Sequence, residues 1–122
     1  MREIKFRAWE KNLKEIIHVN DINFKNNQIN TNGPWRTFNE IELMQYTGLK
    51  DANGVEIFEG DILRAPLEGA RNFAVRYDDS KCKFISVTVI EDGVEWFMDV
   101  SRRHHVIGNI YENPELLGGA SE

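Results

Sequence analysis

Two adjacent histidines and one cysteine are the side chains best suited to metal or redox chemistry. His104 and His105 are neighbours in sequence, and neighbours on a strand point to opposite faces, so they cannot readily hold one ion together. Cys82 is the single cysteine, which excludes an internal disulfide, and it has no base close to it in sequence. We expect a surface thiol, no metal and no cofactor.

Paired carboxylates occur twice, at Asp78-Asp79 and at Glu91-Asp92. Such pairs can serve acid/base catalysis, but both stand between predicted strands, where turn residues are typical. The sequence also has no phosphate-binding glycine loop, no G-x-S-x-G elbow and no C-x-x-C motif. We therefore predict no catalytic residues and a protein that is not an enzyme. An enzyme without a readable motif is the less favoured alternative.

Four residues combine aromatic and basic character: Arg7 with Trp9, and Trp35 with Arg36. Tryptophan and arginine are enriched at the centres of protein interfaces, and the same combination can stack on single-stranded nucleic acid. If both tryptophans lie on outward faces, these four side chains form a binding surface. Packing of the tryptophans in the core is the competing interpretation, and the stronger one.

Length and charge limit the range of functions. The chain has 122 residues and a net charge of −5, and no segment has the basic excess of a non-specific DNA-binding protein. A protein partner is therefore favoured over nucleic acid. One cysteine fits a reducing compartment, and the sequence has neither a signal-peptide pattern nor an apolar run that could span a bilayer. We expect a cytoplasmic protein that binds no membrane.

Alternating apolar and polar residues predict that strands position all these side chains. In the first strand, Ile4, Phe6 and Ala8 share one face, and Arg7 and Trp9 share the other. Thr37 and Glu40 have capping-box spacing and predict a short helical turn. In the C-terminal half, five strands are predicted at 61–65, 72–78, 83–90, 95–99 and 104–110. Five short strands with tight connections favour a small barrel.

Glycine, asparagine and aspartate mark the turns between these strands. Gly48, Gly54 and Gly60 can adopt positive φ, and Asn53-Gly54 between apolar stretches is a strong hairpin signal. Asp61 is placed to accept backbone N–H groups after Gly60, although a ligand-binding role for Asp61 is the alternative. At the C-terminus, Asn113 is predicted to cap a helical turn with Pro114 in its first position.

Three parts of the chain resemble one known family. They are the opening Arg2–Trp9, the central segment from Gln45 through Gly48, Asp51, Gly54 and Gly60 to Ile62, and the closing Ile107–Leu117. In order and content these segments are similar to the YopX family, small proteins of bacteriophages and prophages whose biochemical role is not established. The resemblance implies phage or prophage origin and an SH3-like barrel in the C-terminal half. It implies no catalytic residues.

The sequence therefore predicts a mainly β (α+β) fold. A β-ribbon or α+β part at 1–58 is expected to pack on an SH3-like small β-barrel at 59–122 that ends in a short helical turn. The expected function is that of a non-enzymatic phage accessory protein that binds another protein or assembles with itself. A nucleic-acid-binding module is the alternative. Exposed strand edges in the N-terminal half favour a homo-oligomer over a monomer.

Overall fold

The protein is built almost entirely from short antiparallel strands. A computed structural model describes residues 3–90 and 93–117; more than half of these residues lie in strands, and none lies in an α-helix. The mainly β prediction is confirmed. The strands are β1 (Phe6–Glu10), β2 (Glu15–His18), β3 (Asp21–Asn23), β4 (Gln28–Asn30), β5 (Trp35–Thr37), β6 (Ile41–Lys50), β7 (Glu56–Phe58), β8 (Asp61–Arg64), β9 (Asn72–Asp78), β10 (Lys83–Val89), β11 (Glu95–Asp99) and β12 (His105–Asn109). Within the described residues no helix is long and apolar enough to cross a membrane.

The chain forms two compact units, Met1–Tyr46 and Thr47–Glu122. The division lies inside β6, twelve residues before the boundary that the sequence predicts at 58. Gly48, two residues after Tyr46, has a φ of +90°, and at this glycine β6 leaves regular extended geometry. The prediction of an N-terminal part at 1–58 and an SH3-like barrel at 59–122 stays a prediction.

The N-terminal unit contains two small sheets. In the first, β1 lies between β2 and β6, and in the second, β4 lies between β3 and β5. Alternation places Phe6 and Ala8 on one face of β1, as predicted, and this face contributes to the core. Ile4, which was predicted to share that face, lies before β1 and is 62% exposed. The buried members of this core are Ala8, Val19, Ile29 and Ile41.

A single 3-10 turn at Phe38–Glu40 connects β5 to β6. The backbone N–H of Thr37 donates a hydrogen bond of 2.9 Å to Glu40 Oε1, which is half of the predicted capping box. The sequence therefore locates this turn correctly. It does not predict β5, because three residues after Gly33-Pro34 carry too little alternation to be recognised without their partner strand β4.

The C-terminal unit contains a five-stranded antiparallel sheet in the order β11-β10-β9-β8-β12. All five strands predicted for this half are present, each within one residue of its predicted ends. The last strand pairs with the first, which is the strand order of an SH3-like barrel. The sheet curls into a half-barrel.

The interior of the C-terminal unit contains an apolar cluster. Ile57, Leu63 and Val75 are buried there, and Leu49, Val100 and Val106 pack against them. Ile57 belongs to β7, which the sequence does not predict as a separate strand. β7 follows the Asn53-Gly54 turn, where Gly54 has a φ of +84° and donates its N–H to the Asp51 carbonyl at 3.0 Å. The hairpin signal in the sequence thus corresponds to the β6–β7 connection.

The turn after β12 is built differently from the prediction. A 3-10 turn spans Pro114–Leu116 with Pro114 in its first turn, but Asn113 makes no capping hydrogen bond with its side chain. Asn113 Oδ1 instead accepts the backbone N–H of Asn109 at 3.2 Å. A Cβ at Gly108 would overlap the Asn113 side chain, so a larger residue there would force that side chain to move.

Candidate interaction surface

Asp51 is a buried carboxylate of the C-terminal unit that accepts three backbone N–H groups. Its Oδ1 accepts the backbone N–H groups of Asn53 at 2.8 Å and Val55 at 2.9 Å, and its Oδ2 accepts that of Val106 at 2.9 Å. Burial alone would raise the pKa of Asp51, but these three donors, with a smaller effect from His105, lower the pKa below its ordinary value. The carboxylate joins the β6–β7 turn to β12, which is a structural task.

Asp61 performs a similar task one turn later. It is only 1% exposed, and its Oδ2 accepts the Phe58 N–H at 2.8 Å. Gly60 has a φ of +87°, donates its N–H to Val75 and accepts that of Ile110, each at 2.8 Å. Asp61 therefore closes the β7–β8 turn from inside the fold. This geometry supports the structural role over the ligand-binding alternative.

Glu10 is a buried acid that the sequence does not identify. Its Oε1 accepts the N–H groups of Leu13 at 2.9 Å and Asn12 at 2.6 Å, and its Oε2 lies 2.9 Å from Arg36 Nε. The Leu13 N–H is the largest cause of a lowered Glu10 pKa, and burial opposes it. Sequence alone shows a Glu10-Lys11-Asn12 turn, which gives no sign of a partner 26 residues away.

The four aromatic and basic residues do not form one surface. Arg36 is paired in register with buried Ile29, and its ion pair to Glu10 places it on the core side of β5. Trp35 alternates with it and is 48% exposed on the other side. Arg36 is thus committed to an internal ion pair.

The face of β1 that carries Arg7 and Trp9 is also not open surface. Both side chains are half-buried, and Arg7 is paired in register with Met44, which is fully buried. Trp9 and Arg7 lie on the opposite face of β1 from Glu10, and therefore from Arg36. The predicted binding surface of Arg7, Trp9, Trp35 and Arg36 is not assembled, and alternation along the strands is the reason.

The two histidines stand at the start of β12, and the cysteine stands in a different turn. His104 lies in the turn before β12 and His105 begins that strand, with its Nδ1 at 2.8 Å from Asn53 Nδ2. Burial, with a smaller contribution from His105, lowers the pKa of His104. Cys82 is exposed in the β9–β10 turn. Within residues 3–90 and 93–117, no group of three or more His, Cys, Asp or Glu side chains could hold a metal ion. Asp78 binds Ser80 within its turn, and Glu91-Asp92 lies outside the described residues.

The strand β11 combines a position at the end of a sheet with exposed apolar side chains. This strand ends the five-stranded sheet and has β10 as its one neighbour there. All five residues are exposed, including Trp96 and Phe97 at 52% each and Met98 at 40%. Trp96 and Met98 point to one face and Phe97 to the other, so apolar surface flanks the open edge on both sides. We call Glu95–Asp99 with this edge the β11 edge.

Charged side chains border the β11 edge without covering it. Glu95 pairs with Arg76 at 3.1 Å, and Asp99 pairs with Lys83 at 2.7 Å. The Arg71 guanidinium lies 5.5 Å from the Trp96 ring centre, and Lys81 Nζ lies 4.7 Å from that of Phe97. Cations over aromatic rings contribute about 0.5–1 kcal/mol at exposed sites. Each of the two acids therefore has a cation of its own chain as a partner, and each of the two rings has a cation beside it.

A family model described as YopX protein matches residues 5–118. The chain belongs to the YopX family. It is also similar to the crystal structure of protein EF1440 from Enterococcus faecalis, at 34% identity and a TM-score of 0.71, over 96% of this chain and 99% of that one. A search of curated proteins found no match.

In this YopX chain, the residues that carry the family resemblance build turns. Asp51, Gly54, Gly60 and Asp61 close the β6–β7 and β7–β8 turns, and Gly108 permits the turn after β12. The β11 edge lies outside all three resembling segments. One sequence signal could have found it: three consecutive apolar residues, Trp96-Phe97-Met98, in a strand that otherwise should alternate.

Proposed function

We propose that this protein is a non-enzymatic binding protein that holds an extended segment of a protein partner, either another protein or a second copy of this chain, at the β11 edge. The observation that carries the proposal is the combination of an open strand edge with exposed apolar side chains on both of its faces. Native proteins usually protect edge strands with central charges, proline or bulges. Here the charges stand only at the two ends of the strand.

Strand addition uses both features of this edge. Backbone hydrogen bonds to an incoming strand supply affinity, and alternate side chains above and below the sheet supply specificity. Trp96 is suited to act as the main anchor, because tryptophan is enriched among residues that dominate binding energy. Arg71 and Lys81 hold the two rings, which reduces the side-chain entropy lost on binding.

Binding rather than catalysis is also supported by how the acidic residues are used. Asp51, Asp61 and Glu10 each accept backbone N–H groups, so their carboxylates are engaged in holding turns. We further propose that the protein acts in the cytoplasm of a bacterial host, as an accessory protein of a phage or prophage.

Selection of peptides tests the proposal. A library of random extended peptides is selected against the immobilised full chain, and the bound peptides are mapped by NMR. We expect amide shifts centred on 95–99. Phe97→Lys should weaken binding by at least about tenfold, because it places a charge at the centre of the edge. Leu67→Lys is the matched control, since Leu67 is 69% exposed and lies outside β11. Peptides that bind elsewhere, or equal loss in both variants, would overturn the proposal.

Single-stranded nucleic acid is the second candidate ligand, and one observation favours it. The Arg71–Trp96 and Lys81–Phe97 contacts place cations beside exposed aromatic rings, as in stacking platforms for bases. The net charge of −5 opposes it. We expect no sub-micromolar binding of a labelled oligothymidine at physiological salt. Tight binding that weakens steeply with salt and is lost in Arg71→Ala would instead establish the nucleic-acid function.

A further inference from the structure

The backbone geometry of the β10–β11 hairpin shows which groups of β11 are available. Ile90 N–H donates to the Val94 carbonyl at 2.8 Å, so this pair is hydrogen-bonded. Hydrogen-bonded and non-hydrogen-bonded pairs alternate along an antiparallel ladder. Trp96 and Met98 therefore direct their backbone groups to β10, and Glu95, Phe97 and Asp99 direct theirs away from it.

The five residues at this edge match a reversed copy of themselves. Read in either direction, Glu95-Trp96-Phe97-Met98-Asp99 is an acid, an apolar residue, phenylalanine, an apolar residue and an acid. In an antiparallel pair centred on Phe97, Trp96 of each copy lies opposite Met98 of the other copy, so the dimer has two such contacts. Sulfur–aromatic contacts of this kind are favourable by about 0.3–1.5 kcal/mol.

The charges at the two ends permit this arrangement. A pair centred on Phe97 places Glu95 opposite the other copy's Asp99, which would be repulsive for bare carboxylates. Each acid already has its own cation, Arg76 at 3.1 Å and Lys83 at 2.7 Å. The four charges at each end therefore form two ion pairs side by side, and the apolar centre meets an apolar centre.

We propose that a second copy of this chain occupies the β11 edge, with the two β11 strands antiparallel and Phe97 of each copy at the two-fold axis. This inference rests on the proposed function and names its partner. The two five-stranded sheets then become one continuous ten-stranded sheet across the dimer. A two-fold interface of this kind closes, so the product is a dimer and not a filament.

The dimer is weak and depends on concentration. One strand pair with three apolar side chains from each copy buries less than the roughly 1,200–2,000 Å² typical of stable interfaces. The expected dissociation constant is micromolar. Light scattering coupled to size exclusion should show a mass near the 14.2 kDa of one chain in dilute solution, rising toward twice that value as concentration increases.

Proline and alanine substitutions at Phe97 distinguish the contribution of backbone pairing to the dimer from that of the apolar side chain. Phe97→Pro removes a backbone N–H that points away from β10, and proline is tolerated in edge strands on that side. It should keep the fold and abolish the dimer at every concentration. Phe97→Ala retains the N–H and is the matched control, with dimerisation weakened but still measurable. Circular dichroism confirms that both variants remain folded, and Phe97→Lys replaces any variant that does not.

A disulfide cross-link between cysteines at position 97 tests the proposed register of the two β11 strands directly. In a Cys82→Ser background, Phe97→Cys places two thiols opposite each other at a hydrogen-bonded pair, with Cα atoms about 5.5 Å apart, within the range for a disulfide. Val89→Cys, exposed on β10, should not cross-link. Rapid oxidation to a dimer in Phe97→Cys alone supports the proposal.

The outcomes separate this inference from the proposed function. A monomer at all concentrations that still binds selected peptides at 95–99 would overturn the self-pairing and leave strand addition standing. A dimer that is unaffected by Phe97→Pro would overturn the inferred interface. A monomer that binds no peptide at the β11 edge would overturn both proposals.

Discussion

The first prediction concerns Asp51, which joins the β6–β7 turn to β12. In Asp51→Ala, the N–H groups of Asn53, Val55 and Val106 all lose their acceptor. In Asp51→Asn, one amide oxygen can still serve the turn, but an amide nitrogen faces the Val106 N–H, so that two donors meet. Both changes should destabilise the protein, and the alanine change more strongly.

The magnitude follows from where the three donors lie. The N–H groups of Asn53 and Val55 lie in an exposed turn and can bond to water instead, so losing their hydrogen bonds to Asp51 costs little. The Val106 N–H lies in a half-buried strand, where water does not readily replace the lost acceptor. Hydrogen bonds to a charged acceptor contribute about 1.5–3 kcal/mol, and an orphaned buried donor costs about 1–3 kcal/mol. We expect a loss of roughly 3 kcal/mol for Asp51→Ala, a fall of roughly 12 °C in Tm, and about half that for Asp51→Asn.

Urea unfolding followed by circular dichroism, at several pH values, is the assay. Because the pKa of Asp51 is lowered in the folded state, its stabilisation is present above the ordinary value of 3.8 and is lost as pH falls through the folded pKa. The difference between wild type and Asp51→Asn should therefore shrink in acid. Asp79→Asn, in an exposed turn, is the control. A loss no larger than that of the control, or a difference independent of pH, would refute this reasoning.

Three further changes probe other parts of the fold. Gly108→Ala should lower the free energy of unfolding by about 1–3 kcal/mol, because the new Cβ overlaps the Asn113 side chain. Urea unfolding of the double variant with Asn113→Ala should show part of that loss recovered. If the effects of the two changes simply add, the overlap is contradicted. Glu10→Gln removes the charge that pairs with Arg36, and it should lower the urea midpoint more than Glu42→Gln does, because the ion pair of Glu42 with Lys11 is solvent-exposed. Equal midpoints for the two variants would argue against a structural role for the Glu10–Arg36 pair. Burial lowers the pKa of His104 from its ordinary value of 6.5, so as pH falls His104 is protonated in the unfolded chain before it is protonated in the folded one. The free energy of unfolding should therefore decrease as pH drops below about 6.5. A His104→Gln variant whose stability depends on pH in the same way would contradict this.

The turns of the C-terminal unit could be predicted because each depends on a local backbone requirement. Gly54 and Gly60 have positive φ in the structure, and Asn53-Gly54 marks a true hairpin connection. The five strands of that unit are separated by such turn residues, so their limits could be read from the sequence. Local chemistry determines these features, and a local pattern therefore reveals them.

The features that escaped prediction depend on residues far apart in sequence. β5 exists because it pairs with β4, and Glu10 is an ion-pair partner because the fold brings Arg36 to it. Arg7, Trp9 and Trp35 were grouped by residue type, but strand alternation and burial determine which side each faces. The open edge of β11 follows from the order of strands in the sheet, which no single segment encodes.

Hydrogen exchange at Phe97, measured by NMR, tests the central claim most directly. In dilute solution the Phe97 N–H, which points away from β10, should exchange rapidly, while those of Trp96 and Met98 are protected by the ladder. As concentration rises, or as a selected peptide binds, the Phe97 N–H should become protected too. A Phe97 N–H that stays unprotected while the mass doubles or the peptide saturates would contradict strand addition at the β11 edge.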